Sequence, residues 1–385
     1  MNRIYLDNAA TTAVLPEVLE KMLPYFSDLY GNAGSSHSSG RSARHALEES
    51  RQTVAECLGC SPEEIYFTSG GTESNNWAIK GTAFASREKG NHIITCATEH
   101  HAVLDTCQWL ETRGFRVTYL PVDHYGQISI RDAEAAINDQ TILVSIMTAN
   151  NETGTLQPIK ELAAICRDRQ VPFHTDAVQA VGHMPLNVHL IGCDMLSISA
   201  HKFHGPKGTG VLFMRHGMHI DRLLHGGAQE RGKRASTENI AGIVGLAEAL
   251  RICCEDMQNK CRRISEIRDL LLQGLLAVPG VIPTGHPVMR LPGICSISVR
   301  GADSTSMLMQ LDTAGIDASA GSACTSGSTE PSHVLKAMGL GAEYVKGALR
   351  FSLSGLTQTE EIRYVLRVFP DIVRNIRRSS TESPE

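Results

Sequence analysis

Residues 141–176 read TILVSIMTANNETGTLQPIKELAAICRDRQVPFHTD, and this stretch decides the fold. The apolar, β-branched run over 141–148 predicts a strand, the periodic apolar residues over 159–169 predict a helix, and 172–176 predicts a second strand. A strand, a helix and a strand in close succession are typical of a crossover unit, in which the two strands lie parallel and the helix covers the sheet.

The same alternation extends in both directions along the first two thirds of the chain. Further strands are predicted at Ile65–Thr68, His92–Cys96, Arg116–Leu120, Met195–Ser199 and Gly210–Met214, and further helices at 74–89, 102–113 and 130–138. The sequence therefore predicts an α/β fold, with a large domain built on a mainly parallel seven-stranded sheet that is covered by helices.

The pattern changes after Asn239, where one long helical stretch is predicted to reach about Leu276. A strand at 294–299, a helix at 304–314, a strand at 347–353 and a closing helix at 359–377 follow. We therefore expect a second, smaller α+β domain. The expected division places residues 13–255 in the large domain, and residues 1–12 and 256–385 in the small domain, which carries a cysteine loop at about 318–328.

Composition excludes several classes of function. The 36 Lys and Arg residues against 41 Asp and Glu residues give a net charge of −5, without the basic blocks that nucleic-acid binding usually needs. No apolar run approaches the roughly 20 residues of a membrane-spanning helix, and the first residues have no apolar signal core. We therefore expect a cytoplasmic protein without membrane or nucleic-acid partners.

The chain has 11 cysteines, an odd number without regular spacing, which favours free thiols in a reducing compartment. Cys57 and Cys60 form one C-x-x-C pair, but no second pair lies at the spacing of a zinc site. We expect these two cysteines to pack as small apolar residues, with metal or redox work as the alternative. No metal site is predicted.

Three motifs together indicate one cofactor. Lys202 directly follows a predicted strand, and Asp176 ends another, at the strand ends where ligands bind in α/β sheets. Residues 69–75, SGGTESN, join a strand to a helix and offer backbone amides and a hydroxyl to a phosphate. A lysine, a strand-end aspartate and a phosphate turn are what pyridoxal 5′-phosphate (PLP) requires.

With these motifs in place, the whole chain resembles a known family, the cysteine desulfurases of the NifS/IscS type. These enzymes are class-V aminotransferase relatives with the type I fold of PLP enzymes. The resemblance rests on the segments DNAATT at 7–12, SGGTESN at 69–75, EH at 99–100, NNETG at 150–154, DAVQ at 176–179, SAHK at 199–202 and GSACT at 321–325.

The resemblance implies a role for each matching residue at the cofactor. Lys202 is implied as the Schiff-base lysine, Asp176 as the partner of the ring nitrogen, and Gln179 as the partner of the ring hydroxyl. His100 is implied to stack on the ring and to move protons. The remaining implied cofactor contacts are Asn151 at the ring edge and Gly71, Thr72, Ser199 and His201 at the phosphate.

Cys324 lies in a stretch, 318–328, that contains nothing larger than cysteine or threonine. Because no large apolar side chain anchors this stretch to a core, we expect an exposed and mobile loop, which suits a thiolate that collects sulfur and then presents it elsewhere. The alternative is a chance cysteine in a disordered loop. The resemblance places Cys324 as the persulfide-forming residue, in the group that passes sulfur directly to a scaffold; whether it also ligates a cluster transiently is open.

Two further residues are implied at the edge of the site. Arg350 lies within an apolar predicted strand, and by resemblance it binds the substrate carboxylate with Asn151 nearby. A structural ion pair is the alternative for this arginine. Thr237 is implied as a phosphate donor to the neighbouring subunit, which indicates a homodimer. Here Ser236 replaces a glycine that is commoner in the family, so the local backbone geometry is in question.

The predicted function is conversion of L-cysteine to L-alanine, with a persulfide left on Cys324. Either Lys202 or His100 is expected to take the Cα proton. The predicted acceptor is an iron–sulfur scaffold protein of the IscU/NifU type, although other sulfur-transfer pathways remain open. The alternatives are a selenocysteine lyase or an aminotransferase of the same fold, or a non-catalytic sulfur-assembly platform.

Overall fold

A computed structural model describes residues 3–320 and 331–381 of the 385-residue chain. Its strands are β1 (Ile4–Tyr5), β2 (Ile65–Thr68), β3 (His92–Cys96), β4 (Arg116–Leu120), β5 (Thr141–Ser145), β6 (Phe173–Asp176), β7 (Met195–Ser199), β8 (Gly210–Met214), β9 (Val281–Pro283), β10 (Ile294–Val299), β11 (Ile316–Asp317) and β12 (Ala348–Ser352).

Helices connect and cover these strands. The helices are α1 (Pro16–Met22), α2 (Pro24–Ser27), α3 (Ser38–Leu58), α4 (Gly71–Ala85), α5 (His101–Glu111), α6 (Ile130–Ala136), α7 (Ile159–Asp168), α8 (Val188–Ile191), α9 (Gln229–Gly232), α10 (Ile240–Cys254), α11 (Met257–Leu276), α12 (Ser304–Thr313), α13 (His333–Ala337), α14 (Ala342–Val345) and α15 (Thr359–Thr381). A single 3₁₀ turn over Pro62–Glu64 precedes β2, and another over Ala200–Lys202 follows β7.

The large sheet confirms the predicted fold class. It has seven strands in the order β2-β8-β7-β6-β5-β3-β4, and β8 is antiparallel to both of its neighbours while the other pairs are parallel. The β-branched and aromatic residues of six of these strands are buried on both faces, as a sheet covered by helices requires, whereas those of the edge strand β4 are half-buried. β5 ends three residues before the predicted end, yet Ile146 and Thr148 still donate backbone hydrogen bonds to the β6 strand.

A second core lies around a smaller sheet. β12, β10 and β9 form an antiparallel sheet, and β1 pairs in parallel with β11. The rings of Phe351 and Phe369 meet edge to face at 6.3 Å, which packs α15 against this sheet. Leu6 belongs to the same apolar cluster, so the start of the chain packs with its last third. The division at residues 12 and 255 remains a prediction.

The predicted single helical stretch over 239–276 is wrong, because the structure has two helices there. α10 ends at Cys254 and α11 begins at Met257. Asp256 has a left-handed φ of 51°, which interrupts the helical path. The carbonyl of Asp256 then accepts hydrogen bonds from the amides of Asn259 and Lys260, which start the next helix.

Within residues 3–320 and 331–381, no helix combines the length and the apolar character needed to cross a membrane. The ten cysteines in those ranges are all free thiols, and Cys57 and Cys60 pack against the large apolar cluster. Burial raises the pKa of the Cys60 thiol to about 12, so this side chain stays protonated at neutral pH.

The segment over residues 226–239 contains a concentration of unfavourable backbone conformations. Glu230, Arg231 and Ser236 have φ angles of 45°, 55° and 105°. These values lie in the region that favours glycine, since a Cβ atom there crowds the backbone. Ser236 therefore has a backbone conformation typical of glycine, and glycine is the residue that the family resemblance leads one to expect at this position.

We predict that Ser236→Gly stabilises the protein. Relief of a strained φ stabilises the folded protein by about 1–3 kcal/mol. The extra conformational freedom of glycine in the unfolded chain offsets roughly 0.5–1 kcal/mol of this gain. The net gain should raise the midpoint of thermal unfolding by about 1–2 °C in a chain of this size. Ser236→Ala is the matched control, because it removes the hydroxyl but keeps the Cβ atom. If both variants unfold at the wild-type temperature, Ser236 is not strained.

Candidate active site

The predicted site residues lie along one edge of the large sheet. β2, β3, β5, β6 and β7 run in the same direction, so their carboxyl ends meet at this edge. The residues that end or follow these strands are Gly71 and Thr72 after β2, His100 after β3, Asn151 after β5, Asp176 at the end of β6, and Ser199, His201 and Lys202 at and after the end of β7.

Asp176 is buried, and both of its carboxylate oxygens accept hydrogen bonds. The Val178 amide donates to Oδ1 at 2.9 Å, and the Asn75 side-chain amide donates to Oδ2 at 2.6 Å. Because a buried carboxylate without partners is costly, these two donors are what allow it to remain at the sheet edge. Sequence reasoning did not single out Asn75. Its position one turn into the helix that follows the phosphate turn was the available signal.

Lys202 and Gln179 converge on the same backbone carbonyl. The Lys202 Nζ atom donates to the Ala9 oxygen at 2.7 Å and to the Ala10 oxygen at 2.9 Å. The Gln179 side-chain amide also donates to the Ala9 oxygen, at 2.9 Å. The segment DNAATT, which the sequence contributed only as part of a resemblance, therefore lies directly over the two side chains.

The turn between β2 and α4 has little room for side chains. A Cβ atom on Gly71 would lie 2.6 Å from Cγ2 of Val178 and 3.6 Å from Cβ of Ser199, so Ser199 adjoins the first residue of the helix. The first amides of a helix have no acceptor within the helix, and they attract anions. The exposed Thr72 follows directly. This geometry suits a phosphate group.

His201 is an uncharged hydrogen-bonding residue in this structure. Its Nδ1 atom lies 3.2 Å from the hydroxyl oxygen of Thr11. Burial, together with the positive charges of Lys202 and Lys207, lowers the pKa of His201 to about 4. At neutral pH this imidazole therefore offers hydrogen bonds rather than a positive charge.

His100 precedes the first residue of α5, and its ring orientation defines one tautomer. The Ala102 backbone amide donates to Nδ1 of His100 at 3.1 Å. Because Nδ1 accepts a hydrogen bond, the proton of the neutral ring lies on Nε2. In this orientation, Nε2 of the neutral ring can donate a hydrogen bond but cannot accept a proton.

A second buried carboxyl group, Glu99, lies beside His100. The Met147 amide donates to Oε1 of Glu99 at 2.7 Å. Burial raises the pKa of Glu99 well above its usual range despite this hydrogen bond, and the nearby charge of Asp176 adds to the rise. This rise favours the neutral form of Glu99, which lessens the negative charge that Asp176 faces from this side chain.

Arg350 contacts the backbone of Asn151 and the side chain of Asp7. The Arg350 side chain is 1% exposed; Nη1 donates to the Asn151 carbonyl at 2.8 Å, and Nη2 donates to Oδ1 of Asp7 at 2.9 Å. The ion pair that was the alternative interpretation thus exists. The Nε atom is nevertheless buried without a hydrogen-bond partner among residues 3–320 and 331–381, so the guanidinium keeps an N–H group for a ligand.

Thr237 and Cys324 are not placed among these residues. Thr237 is exposed, in the connection between α9 and α10. Cys324, with the predicted loop over 318–328 from residue 321 onward, lies outside the described residues.

The described residues on both sides of the gap at 321–330 contact the site. Ser319 exchanges two backbone hydrogen bonds with Arg350, at 2.7 and 3.1 Å. On the other side, the Ser332 hydroxyl donates to Glu152 at 2.5 Å, and Nε2 of His333 lies 3.0 Å from the Glu99 carbonyl oxygen. Both ends of the interval that contains Cys324 are therefore held at the sheet edge.

Comparison with known proteins identifies the family. The aminotransferase class-V family matches residues 4–365. The cysteine desulfurase IscS of Methanosarcina thermophila is 51% identical over 382 residues, which cover 99% of this chain and 95% of that protein. The chain belongs to the cysteine desulfurases of the class-V aminotransferase family. This result confirms the predicted activity over the selenocysteine lyase, aminotransferase and platform alternatives.

Solved structures of other desulfurases have the same fold. A NifS-like protein superposes on this cysteine desulfurase with a TM-score of 0.92 at 38% identity, covering 97% of this chain and all (100%) of the other. The apo cysteine desulfurase from Thermococcus onnurineus NA1 gives a TM-score of 0.87 at 29% identity, with coverage of 97% and 95%. Class-V aminotransferases are PLP-dependent enzymes, as the predicted cofactor requires.

Proposed function

We propose that this cysteine desulfurase binds PLP at the carboxyl edge of its large sheet and moves the sulfur of L-cysteine onto Cys324, for delivery to an iron–sulfur scaffold. The observation that carries the proposal is the convergence of a buried amine, a buried carboxylate and a helix N-terminus at one sheet edge. These are the groups that a cofactor with an aldehyde, a ring nitrogen and a phosphate needs.

The residues at the edge fit PLP in chemistry and in order along the sheet. Lys202 would hold the aldehyde carbon, Asp176 would pair with the protonated ring nitrogen, and Gln179 would reach the ring hydroxyl. His100 and Asn151 would line the ring, and Gly71, Thr72, Ser199 and His201 would hold the phosphate. When bound, PLP withdraws electrons from the substrate Cα and so makes its proton removable.

Arg350 would orient the substrate through its carboxylate. The buried Nε–H group has no partner in the described chain, and Nη2 carries a second proton beyond the one donated to Asp7. A carboxylate that accepts from both groups would be bound by a planar pair of hydrogen bonds, which fixes its direction. Asp7 and the Asn151 carbonyl meanwhile hold the guanidinium in place.

Lys202 and His100 have different roles in the proposed reaction. Since Nδ1 of His100 accepts from the Ala102 amide, Nε2 of the neutral ring carries a proton and serves as a hydrogen-bond donor rather than as a base. Lys202 is then the base that takes the Cα proton. The sequence left Lys202 and His100 open as the base, and the hydrogen bond to Nδ1 of His100 supports the choice of Lys202.

Sulfur transfer is proposed to begin with the Cys324 thiolate. It attacks the sulfur of the bound cysteine, a sulfur–sulfur bond forms, and the substrate carbon–sulfur bond breaks. The electron pair of that bond stays with the substrate carbon, which takes up a proton and leaves as alanine. The sulfur remains as a persulfide on Cys324, and a thiol reductant or an acceptor protein then removes it.

The described cysteines are poor rivals for this role. Burial raises the thiol pKa of seven of them to about 12, so they remain protonated at neutral pH: Cys60, Cys96, Cys107, Cys166, Cys193, Cys253 and Cys295. Only Cys254 has a lowered pKa, because it shares a hydrogen bond with Cys57, and it packs against the core at the end of α10. It therefore makes a suitable control.

A homodimer is part of the proposal, with Thr237 reaching the phosphate in the neighbouring subunit. Thr237 is exposed on its own chain. A stretch of α1, α2 and the residues after them also exposes large apolar side chains, namely Leu19, Leu23, Phe26, Leu29 and Tyr30. Apolar side chains exposed this close together are typical of an interaction surface, and we propose that a second copy of the chain covers them.

We predict that Asn75→Ala weakens PLP binding about tenfold, because the Asp176 carboxylate loses one of its two donors. The dissociation constant of PLP from the full-length protein measures this effect. Asn76→Ala is the matched control on the same helix, because within the described chain its side chain donates to the Thr72 carbonyl of that helix and not to Asp176. Equal affinities for the two variants would contradict the role of Asn75.

We predict that Cys324→Ser retains the visible absorbance of bound PLP but loses alanine production from L-cysteine. The wild-type protein, incubated with L-cysteine and a thiol reductant, should release alanine and sulfide in equal amounts. Without the reductant, mass analysis should find one added sulfur atom on the peptide that contains Cys324. Cys254→Ser should behave as the wild type. Full alanine production by Cys324→Ser would refute the proposed nucleophile.

A further inference from the structure

The strained segment over residues 226–239 contains three of the six non-glycine residues that have a positive φ in the described chain. Strain of this kind persists only where the surrounding structure holds the backbone in place, and it concentrates near functional sites. The segment also contains Thr237, whose side chain is exposed on its own chain. Two ion pairs restrain this segment.

The first restraint is a buried ion pair between Arg51 of α3 and Glu230. Nη1 and Nη2 of Arg51 donate to the two carboxylate oxygens of Glu230, each at 2.8 Å, and both side chains are 2% exposed. The Phe67 amide also donates to Glu230, at 2.9 Å, and Arg51 donates to the Ile65 carbonyl at 2.8 Å. This fully bonded pair fixes the strained turn against β2.

The second restraint joins the segment to the phosphate turn. Nε and Nη2 of Arg234 donate to the two oxygens of Glu73, at 2.7 and 2.9 Å, with the side chains 14% and 11% exposed. The Ser69 amide donates to the same carboxylate at 2.8 Å. Burial opposes ionisation of Glu73, but the hydrogen bonds from Arg234 and Ser69 outweigh it and lower its pKa, so the pair is charged at neutral pH.

The backbone that follows Arg234 has a defined path. Ala235, directly after Arg234, is buried, and its Cβ atom lies 3.0 Å from the position that a Cβ atom on Gly226 would occupy. Ser236 then adopts its strained φ, and Thr237 emerges exposed. Three residues, 234–236, thus lie between the carboxylate of Glu73, which binds Arg234, and the exposed side chain of Thr237.

We propose that Arg234 and Glu230 are positioning residues, whose ion pairs with Glu73 and Arg51 hold residues 229–236 in a strained path that presents Thr237 to a second copy of the chain. The inference rests on the proposed function, in which Thr237 contacts the phosphate of PLP in the partner subunit. In such a dimer, Glu73 of each subunit would hold the segment of its own chain that carries Thr237, and this Thr237 would complete the site of the other subunit.

Arg234→Met and Thr237→Ala, alone and combined, test this inference through PLP affinity. We expect Arg234→Met to weaken PLP binding about tenfold in the wild-type background and less than about twofold when Thr237 is already alanine, because coupled residues are not additive. Glu73→Gln combined with Arg234→Met removes the carboxylate charge that the single variant leaves unpaired, and it should bind PLP as weakly as Arg234→Met.

A second readout does not depend on the cofactor. Glu73→Gln keeps the tryptic sites at Arg231, Lys233 and Arg234, so a loosened segment should be cleaved there several times faster than in the wild type. Arg169→Met is the control, since it removes a pair with Glu134 in which both side chains are about half exposed, 51% and 50%. It should change neither readout.

The possible failures are distinguishable. If Arg234→Met weakens PLP binding equally in both backgrounds, Arg234 acts on the phosphate turn directly and the positioning role is refuted. If the wild type binds PLP tightly but Thr237→Ala binds it equally well, the proposed contact of Thr237 is wrong, and the positioning role falls with it. If the wild type binds no PLP, the proposed function itself fails.

Discussion

The site depends on one buried carboxylate that is kept in place by its neighbours. Asp176 ends a strand in the middle of the large sheet, and it remains there because Asn75 and the Val178 amide donate to its two oxygens. Asn75 belongs to the helix whose first turn is the proposed phosphate site, and Val178 packs against Gly71 of that turn. The contacts that hold the carboxylate therefore also set its position relative to the phosphate turn.

Burial shifts two ionisable groups around this carboxylate toward their neutral forms. Burial and the charge of Asp176 raise the pKa of Glu99, which favours its neutral form, and burial beside Lys202 lowers the pKa of His201 to about 4, so that His201 is neutral at pH 7. The remaining buried cation, Arg350, is paired with Asp7 and still has an N–H group available. In the proposed function, this arrangement offers one carboxylate to a ring nitrogen, one amine to an aldehyde and one guanidinium to a substrate carboxylate.

Local patterns predicted most strands of the large sheet to the residue, since short apolar runs with flanking turn residues leave little choice of boundary. The break at Asp256 was missed because a left-handed φ at a non-glycine residue has only a weak sequence signal, the enrichment of Asp and Asn. The pairs Arg51–Glu230 and Glu73–Arg234 were missed because their members are 179 and 161 residues apart. The motifs and their family resemblance predicted the roles of the site residues. The tautomer of His100 and the two donors to Asp176 could be identified only from the structure.

The most direct test of the central claim is to locate the cofactor on the chain. The purified protein, saturated with PLP, is reduced with borohydride and digested, and the peptides are mapped by mass. The account predicts a pyridoxyl group on Lys202, since this amine is buried at the sheet edge beside Gln179 and Ala9. A pyridoxyl group on another lysine, or none at all, would contradict the account.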